Sequence, residues 1–99
     1  MMTPAVSIVV LNYNTCNLLT ACLQSIQKYV PDAEVMVVDN ASTDDSVMAV
    51  KRDFPTVRLI ANATNQGFAR GMNVGLGLAR APVVLALNAD TELLPGTLP

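Results

Sequence analysis

Short apolar runs alternate with amphipathic stretches along most of the chain. The runs at residues 6–11, 34–39, 57–61 and 83–87 are rich in valine, isoleucine and leucine, as is typical of strands covered on both faces. From residue 15 to 28 the apolar positions recur at three- and four-residue spacing, which predicts a helix with one buried face. The residues of that face are Leu18, Leu19, Cys22, Leu23 and Ile26.

Helix start and stop signals divide the rest of the chain. Asn14 or Thr15 is placed to cap the first helix. The residues at 42–45, from Ser42 to Asp45, match a capping box and predict a second helix that ends near residue 54, before Pro55. A third helix is predicted over about residues 67–79. The resulting order, βαβαβαβ, requires crossover connections and therefore a parallel sheet with helices on both faces, in a Rossmann-like three-layer α/β/α fold.

Composition limits the size and setting of this fold. The chain has 99 residues, of which 52% are hydrophobic and 14% charged, so we expect it to cover part of its surface with other residues or another copy. Residues 92–99 are interpreted as a loop that enters a further element. The sequence therefore predicts one partial domain over residues 1–99.

Charge and residue types exclude several function classes. The net charge is −2 and the six basic residues form no run, so no nucleic-acid partner is expected. No secretory leader and no bilayer-length apolar run is recognised, which favours a cytoplasmic location. The chain has no histidine, so chemistry would depend on carboxylates, amides, hydroxyls or a hard metal ion. Cys16 and Cys22 lie six residues apart on the first helix, a spacing that does not favour a disulfide.

Two predicted strands lead into acidic residues, Asp39 and Asp90. In an open parallel sheet, neighbouring strands deliver their last residues to one crevice, so both carboxylates are candidate ligand contacts. Asp39 either accepts hydrogen bonds from a nucleoside or caps the next helix, and Asn40 beside it belongs to a turn whose free amides suit an anion. Asp90, two residues after Asn88, either holds Mg²⁺ or Mn²⁺ together with phosphate oxygens or simply begins a turn.

A glycine stripe marks the third helix. Gly67, Gly71 and Gly75 are four residues apart, which indicates close packing of this helix on the sheet. Gly67 also lies at the helix start beneath the predicted crevice, where the Arg70 guanidinium either binds phosphate or is solvated. Neither a Gly-x-Gly-x-x-Gly motif after the first strand nor a Gly-Lys-Ser/Thr motif is present, which disfavours a dinucleotide fold and an ordinary P-loop.

Four of these segments, taken in order, resemble the family 2 glycosyltransferases with the GT-A fold. They are residues 6–14, 37–44, 65–73 and 87–91. The motifs Asn-Gln-Gly-Phe-Ala and Leu-Asn-x-Asp are closest to a branch that resembles bacterial rhamnosyltransferases. The resemblance implies the N-terminal, nucleotide-sugar-binding half of a GT-A fold, with strand order 3-2-1-4.

The resemblance also assigns roles to individual residues. It implies that Asn12, Tyr13 and Asn14 flank the nucleoside, that Asp39 hydrogen-bonds the base, and that Asp90 holds a divalent cation, Mg²⁺ or Mn²⁺, on the diphosphate.

The implied ligand and reaction follow from the same family. The donor would be a dTDP-, UDP- or GDP-sugar, transferred with inversion to an acceptor hydroxyl in cell-surface polysaccharide synthesis. Asn88 stands where the usual Asp-x-Asp has its first acid, so Asp90 is the one firm carboxylate for the metal. The general base is expected beyond Pro99, so this chain alone would bind without transferring sugar, and a full-length parent would be cytoplasmic or peripheral to the inner membrane.

Two other function classes have a similar α/β fold. A receiver-type signalling domain normally needs a lysine after a later strand, whereas Lys28 and Lys51 are both predicted on helices. The alternative that stays open is a non-catalytic, truncated α/β domain that acts only through binding or self-association. An exposed edge on the fourth strand would favour homo-oligomers.

Overall fold

Seven elements of alternating type make up residues 4–94, the part of the chain that the computed structural model describes. The strands coincide with the apolar runs, because β-branched side chains favour extended backbone and pack on both faces of a covered sheet. All four predicted strands and the first and third helices match within one residue at each end. In chain order the elements are β1 (Val6–Asn12), α1 (Cys16–Tyr29), β2 (Glu34–Asp39), α2 (Ser46–Asp53), β3 (Arg58–Ala61), α3 (Gly67–Leu78) and β4 (Val83–Asn88).

The four strands form one parallel sheet in the order β3-β2-β1-β4. The register sets Asn12 of β1 opposite Asp39 of β2, and Leu11 of β1 opposite Asn88 of β4. The carboxyl ends of β2, β1 and β4 therefore meet at one edge of the sheet. The predicted α/β fold and its 3-2-1-4 strand order are confirmed.

Alternate side chains of the sheet face two helical layers. Ile8, Val10 and Val37 pack in one cluster with the buried side chains of α1 and with Val50 of α2. On the other face, β1 and β2 side chains pack in a second cluster with Met72 of α3. The three-layer arrangement is thus confirmed, with the larger core on the side of α1 and α2.

Helix α3 lies so close to the sheet that two of its glycines have no room for a side chain. A Cβ on Gly71 would lie 2.8 Å from Leu11 Cδ1, and a Cβ on Gly75 would overlap Val9 Cγ1. The packing interpretation of these two glycines is therefore confirmed. Gly67 does not share this role, because a Cβ there would meet nothing within 4 Å. Its φ of +81° instead explains the glycine, since this left-handed conformation is unfavourable for other residues.

Thr15 occupies the N-cap position of α1 as predicted, but the predicted side-chain capping bonds of α1 and α2 are wrong. Neither Asn14 nor Thr15 caps α1 with its side chain; the Cys16 amide instead donates to Asp44 Oδ2 at 3.1 Å, from the loop that precedes α2. Helix α2 begins only at Ser46 and has no capping box. The Ser42 hydroxyl donates to Asp39 rather than to a helix amide.

At the amino edge of the sheet, Glu34 joins β1, β2 and the turn before β4. Its Oε1 accepts hydrogen bonds from Ser7 Oγ at 2.7 Å and from the Arg80 amide at 3.0 Å, and its Oε2 accepts from Arg80 Nε at 2.6 Å. Burial alone would raise the pKa of Glu34, but these hydrogen bonds and the guanidinium charge hold it below its usual value.

None of the described helices has the length and apolar character needed to cross a membrane. Residues 95–99 of the predicted terminal loop, and the position of any base beyond Pro99, lie outside the described residues.

Candidate functional site

A cleft of about 400 Å³ lies at the carboxyl edge of the sheet. Its walls come from the ends of β1, β2 and β4 and from the first turns of α1 and α3, which is where open α/β sheets bind ligands. The lining residues are Leu11, Tyr13, Thr15, Leu18, Asn40, Asn65, Gly67, Phe68, Asn88, Ala89 and Asp90.

Five of the site residues predicted from the sequence line this cleft together: Tyr13, Asn40, Gly67, Asn88 and Asp90. They come from four separate segments of the chain, and the topology of the sheet is what brings them into one place. The other four predicted residues are not among the lining residues.

Asp39 lies beneath the cleft rather than in its wall. Its side chain is 1% exposed, and both carboxylate oxygens accept internal hydrogen bonds. Oδ1 accepts from Asn12 Nδ2 at 2.9 Å and from Ser42 Oγ at 2.7 Å, while Oδ2 accepts from the Ser42 amide at 2.9 Å. Since a buried carboxylate is costly unless donors surround it, these contacts explain how the charge is accommodated. The prediction that Asp39 accepts a hydrogen bond from a base is not tested by these contacts and stays a prediction.

Asn12 and Asn14 join the turn after β1 to the turn after β2. Asn12 is 1% exposed, and its Oδ1 accepts a hydrogen bond from Thr15 Oγ1 at 2.7 Å. The Asn14 amide donates to Ser42 Oγ at 2.9 Å, and Asn14 Oδ1 accepts from the Thr43 amide at 2.7 Å. Asn14 adopts a φ of 52°, which asparagine tolerates better than most residues. Together these bonds fix the backbone on which the exposed Tyr13 stands.

Asn40 anchors the start of α3 to the sheet. Its Oδ1 accepts from Asn62 Nδ2 and from the Gln66 amide, both at 3.1 Å, and its Nδ2 donates to the Gly67 carbonyl at 3.0 Å. The same Nδ2 would lie 2.8 Å from a Cβ on Gly71. Gly71 therefore allows Asn40 to reach the loop, and Asn40 in turn fixes this wall of the cleft.

Asp90 stands on a short turn beyond β4. The Ala89 amide donates to the Leu11 carbonyl at 3.1 Å, and the Thr91 amide donates to the Asn88 carbonyl at 3.0 Å. Ala89 is buried, whereas Asp90 is exposed to the cleft. Among the described residues that line the cleft, Asp90 is the only one with a charged side chain.

The single carboxylate of Asp90 fits a hard cation whose remaining ligands come from a bound molecule and from water. Within residues 4–94 there is no group of three or more His, Cys, Asp or Glu side chains able to hold a metal ion. A cation at Asp90 would therefore complete its coordination with phosphate oxygens and water, as Mg²⁺ commonly does.

The acidic turn at Asp90 also affects the pKa of a buried thiol, that of Cys22. Cys22 of α1 is 0% exposed, and its pKa is raised to about 11, first by burial and then by the negative charges of Asp90 and Glu92. Cys16, at the start of the same helix, is only half-buried. Both thiols are free.

Two apolar residues of the cleft wall, Leu18 and Phe68, were missed by sequence reasoning, whereas Tyr13 was predicted. Tyr13, Leu18 and Phe68 are 49%, 49% and 59% exposed and line the cleft. Leu18 was assigned to the buried face of α1, but that face is centred on Leu19 and Leu23, which leaves Leu18 at its margin. The first-turn position of Leu18, next to the end of β1, was the signal that could have identified it.

Arg70 lies in the first turns of α3 and is exposed, but it is not among the residues that line the cleft. Its predicted contact with phosphate stays a prediction.

Comparison with known proteins identifies the family. The sequence profile described as glycosyl transferase family 2 matches residues 7–99. The teichoic acid poly(glycerol phosphate) polymerase of Staphylococcus epidermidis is 34% identical over 92 residues, which cover 88% of this chain and 13% of that protein. A PGL/p-HBAD biosynthesis glycosyltransferase of Mycobacterium tuberculosis is 36% identical over 97 residues, covering 94% of this chain and 38% of that protein.

Solved structures agree with this assignment. A mannosyltransferase from Pyrobaculum calidifontis, in complex with GDP-Man and Mn²⁺, superimposes with a TM-score of 0.80 at 31% identity, over 91% of this chain and 28% of that one. S. aureus TarS in complex with UDP-GlcNAc gives a TM-score of 0.79 at 29% identity, over 90% of this chain and 27% of that one. The chain thus spans well under half the length of these relatives. It belongs to glycosyl transferase family 2 and has the GT-A fold of the nucleotide-sugar transferases.

Proposed function

We propose that this chain forms the donor-binding part of an enzyme that transfers a sugar from a nucleoside diphosphate to an acceptor hydroxyl. The observation that carries the proposal is the position of Asp90, the one charged side chain among the described residues that line the cleft, whose other lining groups are aromatic, apolar, amide and hydroxyl groups. The Pyrobaculum mannosyltransferase with GDP-Man and Mn²⁺, which shares this fold, supports the same ligand class.

Each wall of the cleft has a role in this proposal. Asp90 would hold a divalent cation, Mg²⁺ or Mn²⁺, and the bound cation would supply stabilisation of the negative charge on the departing nucleoside diphosphate. Asn88 lies beside it and contributes an amide where a second acid would otherwise stand. The exposed rings of Tyr13 and Phe68 offer flat apolar surfaces to a base, and the backbone at Gly67 borders the phosphates.

The predicted residues outside the cleft wall keep a supporting or peripheral place in the proposal. Asn12, Asn14 and Asp39 hold the turn that carries Tyr13. A direct contact of Asp39 with the base would use the remaining lone pair of Oδ2, which accepts one hydrogen bond, and would require this 1% exposed side chain to become accessible from the cleft. Arg70 would approach the diphosphate from α3.

The reaction proposed for the whole enzyme is a single displacement with inversion. A base must deprotonate the acceptor hydroxyl, and the one carboxylate lining the described cleft is already assigned to the cation. We therefore assign the base to residues beyond Pro99, and expect the chain alone to bind the donor without transferring sugar.

The acceptor and setting are proposed from the relatives. The Staphylococcus epidermidis protein is named a teichoic acid polymerase and an Escherichia coli relative, 30% identical over 96 residues, a chondroitin synthase. Both names favour a role in polysaccharide synthesis. For the donor we propose a dTDP-, UDP- or GDP-sugar, a class supported by the GDP-Man and UDP-GlcNAc complexes of the two solved structures. We also propose a rhamnosyl donor, from the sequence motifs, and a cytoplasmic location, peripheral to the inner membrane in a longer parent.

Calorimetric titration tests the donor site directly. The purified chain is titrated with UDP, dTDP and GDP, each with and without Mn²⁺, and we expect at least one of them to bind more tightly with the cation. Asp90→Asn should abolish the effect of Mn²⁺, because the amide removes the charge while keeping the shape. Glu92→Gln is the matched control, since it removes one exposed charge from the same loop outside the cleft.

Two results would refute the donor site. One is the absence of binding for all three nucleotides, and the other is an Asp90→Asn variant that responds to Mn²⁺ as the unsubstituted chain does.

A second candidate function rests on the edge of the sheet. Among the described strands, β4 pairs only with β1, and its residues Val83 and Val84 are 56% and 40% exposed. Unpaired apolar edge strands readily pair with another chain, so we propose that a second copy adds to β4. Light scattering coupled to size exclusion should then show a dimer that Val84→Lys converts to a monomer. A monomer at every concentration would refute this pairing.

A further inference from the structure

Ser25 of α1 is bonded to the loop that carries Asp90. Its hydroxyl donates to the Cys22 carbonyl at 2.7 Å, within the helix, and accepts a hydrogen bond from the Leu93 amide at 2.9 Å. Leu93 is 4% exposed and packs in the same cluster as the buried face of α1. A hydroxyl on a helix is thus joined to a loop that lies 68 residues further along the chain.

The two ends of this loop are fixed to different elements. The Ala89 amide is bonded to the Leu11 carbonyl of β1, and the Leu93 amide to Ser25 of α1. Asp90 lies between these two attachments, with its exposed side chain toward the cleft. These two attachments hold the backbone of the loop, and the backbone therefore sets the position of the Asp90 carboxylate.

We propose that Ser25 is a positioning residue that holds the Asp90 loop in the geometry needed to bind the divalent cation. The inference rests on the proposed function, because it assigns a role within the same site. Ser25 is not among the residues that line the cleft and would act only through the Leu93 backbone.

The chemistry of the hydroxyl suits this role. Its proton is directed to the Cys22 carbonyl, so its lone pairs are left to accept from Leu93. Ser25→Ala would remove the acceptor and leave the Leu93 amide without this partner, releasing one end of the loop. Loss of one such bond weakens a dependent equilibrium by roughly three- to tenfold.

Thr20 provides a matched control on the same helix. Its Oγ1 donates to the Cys16 carbonyl at 3.0 Å, so Thr20→Ala also removes a bond from a hydroxyl to the helix backbone. Thr20 is half-buried like Ser25 and does not line the cleft. Ser25→Thr is the conservative variant, since it keeps a hydroxyl at position 25.

The experiment measures the dissociation constant of UDP and GDP by calorimetry, with and without Mn²⁺, for the unsubstituted chain and the three variants. We expect Ser25→Ala to weaken Mn²⁺-dependent binding about three- to tenfold and to leave metal-free binding unchanged. Thr20→Ala and Ser25→Thr should stay within about twofold of the unsubstituted chain. Hydrogen exchange should show faster exchange of the Leu93 amide in Ser25→Ala alone.

The possible failures are distinguishable. If Ser25→Ala behaves like Thr20→Ala, or weakens binding equally with and without Mn²⁺, the positioning role is refuted while the donor site stands. If the unsubstituted chain shows no Mn²⁺-dependent binding, or Asp90→Asn retains it, the proposed function fails and the role of Ser25 fails with it.

Discussion

Two glycines of α3 allow a sharp test of how closely this helix packs on the sheet. Gly75 is buried, and a Cβ there would overlap Val9 Cγ1 and lie 3.0 Å from Val38 Cγ2. Gly77 is exposed, and a Cβ there would meet nothing within 4 Å. Gly75→Ala and Gly77→Ala therefore add the same methyl group to the same helix in opposite surroundings.

The expected magnitudes follow from two opposing effects. Replacing glycine by alanine within a helix stabilises it by roughly 1 kcal/mol, which is the whole effect expected for Gly77→Ala. At Gly75 the methyl group also overpacks the interface, at a typical cost of about 1–3 kcal/mol. Val9 and Val38 are both 0% exposed in adjacent central strands and have stiff, branched side chains, so the upper part of that range applies. We expect a net loss of about 1–2 kcal/mol for Gly75→Ala.

Urea denaturation followed by circular dichroism measures the difference. The two variants should differ by about 2–3 kcal/mol in free energy of unfolding, which corresponds to roughly 10–20 °C in melting temperature for a domain of this size. Equal stability of the two variants, or greater stability of Gly75→Ala, would refute the close seating of α3 on β1 and β2.

Three further predictions follow from buried or bonded side chains. Asp39→Asn places a side-chain NH₂ group against groups that donate hydrogen bonds to the Asp39 carboxylate. It should therefore lower the free energy of unfolding, measured in urea, by roughly 2 kcal/mol. An unchanged free energy of unfolding would contradict the buried network. Iodoacetamide should label Cys16 well before Cys22 in the native chain, because burial raises the pKa of the Cys22 thiol, and mass spectrometry of the labelled peptides would show the reverse order if this is wrong. Glu34 has a lowered pKa, so its contribution to stability is present above its unfolded pKa and is lost as the pH falls through its folded pKa. The urea midpoint should therefore fall less in acid for Glu34→Gln than for the unsubstituted chain, and equal slopes would show that the bonds from Ser7 and Arg80 do not favour the ionised form of Glu34.

The strands and their order could be predicted because their signal is local. A parallel sheet covered on both faces requires near-continuous apolar runs, and crossover helices must lie between them. The glycine stripe was equally informative at Gly71 and Gly75, where only a missing side chain permits the contact with the sheet.

The capping hydrogen bonds were predicted wrongly because their partners are not local here. Ser42 has the residue type and spacing of a cap, yet its hydroxyl donates to Asp39, while Asp44 accepts from the amide of Cys16, 28 residues away. The pairing depends on β1 and β2 lying side by side, which brings their following turns together. The spacing of residues within one turn cannot reveal a hydrogen-bond partner that a different turn supplies.

Donors supplied by neighbouring turns also explain why the two strand-end acids have different surroundings. Asp39 ends a strand beside β1, where Asn12 and the turn at Ser42 supply three donors, so its carboxylate is satisfied inside the protein. Asp90 stands on a turn whose nearest following amide, that of Thr91, donates to the Asn88 carbonyl instead. Its carboxylate is left exposed in the cleft, where a cation and water are the natural partners of an unshared charge. Position at the carboxyl edge therefore predicts where an acid lies, but the donors around it determine whether it supports the fold or remains open to a ligand.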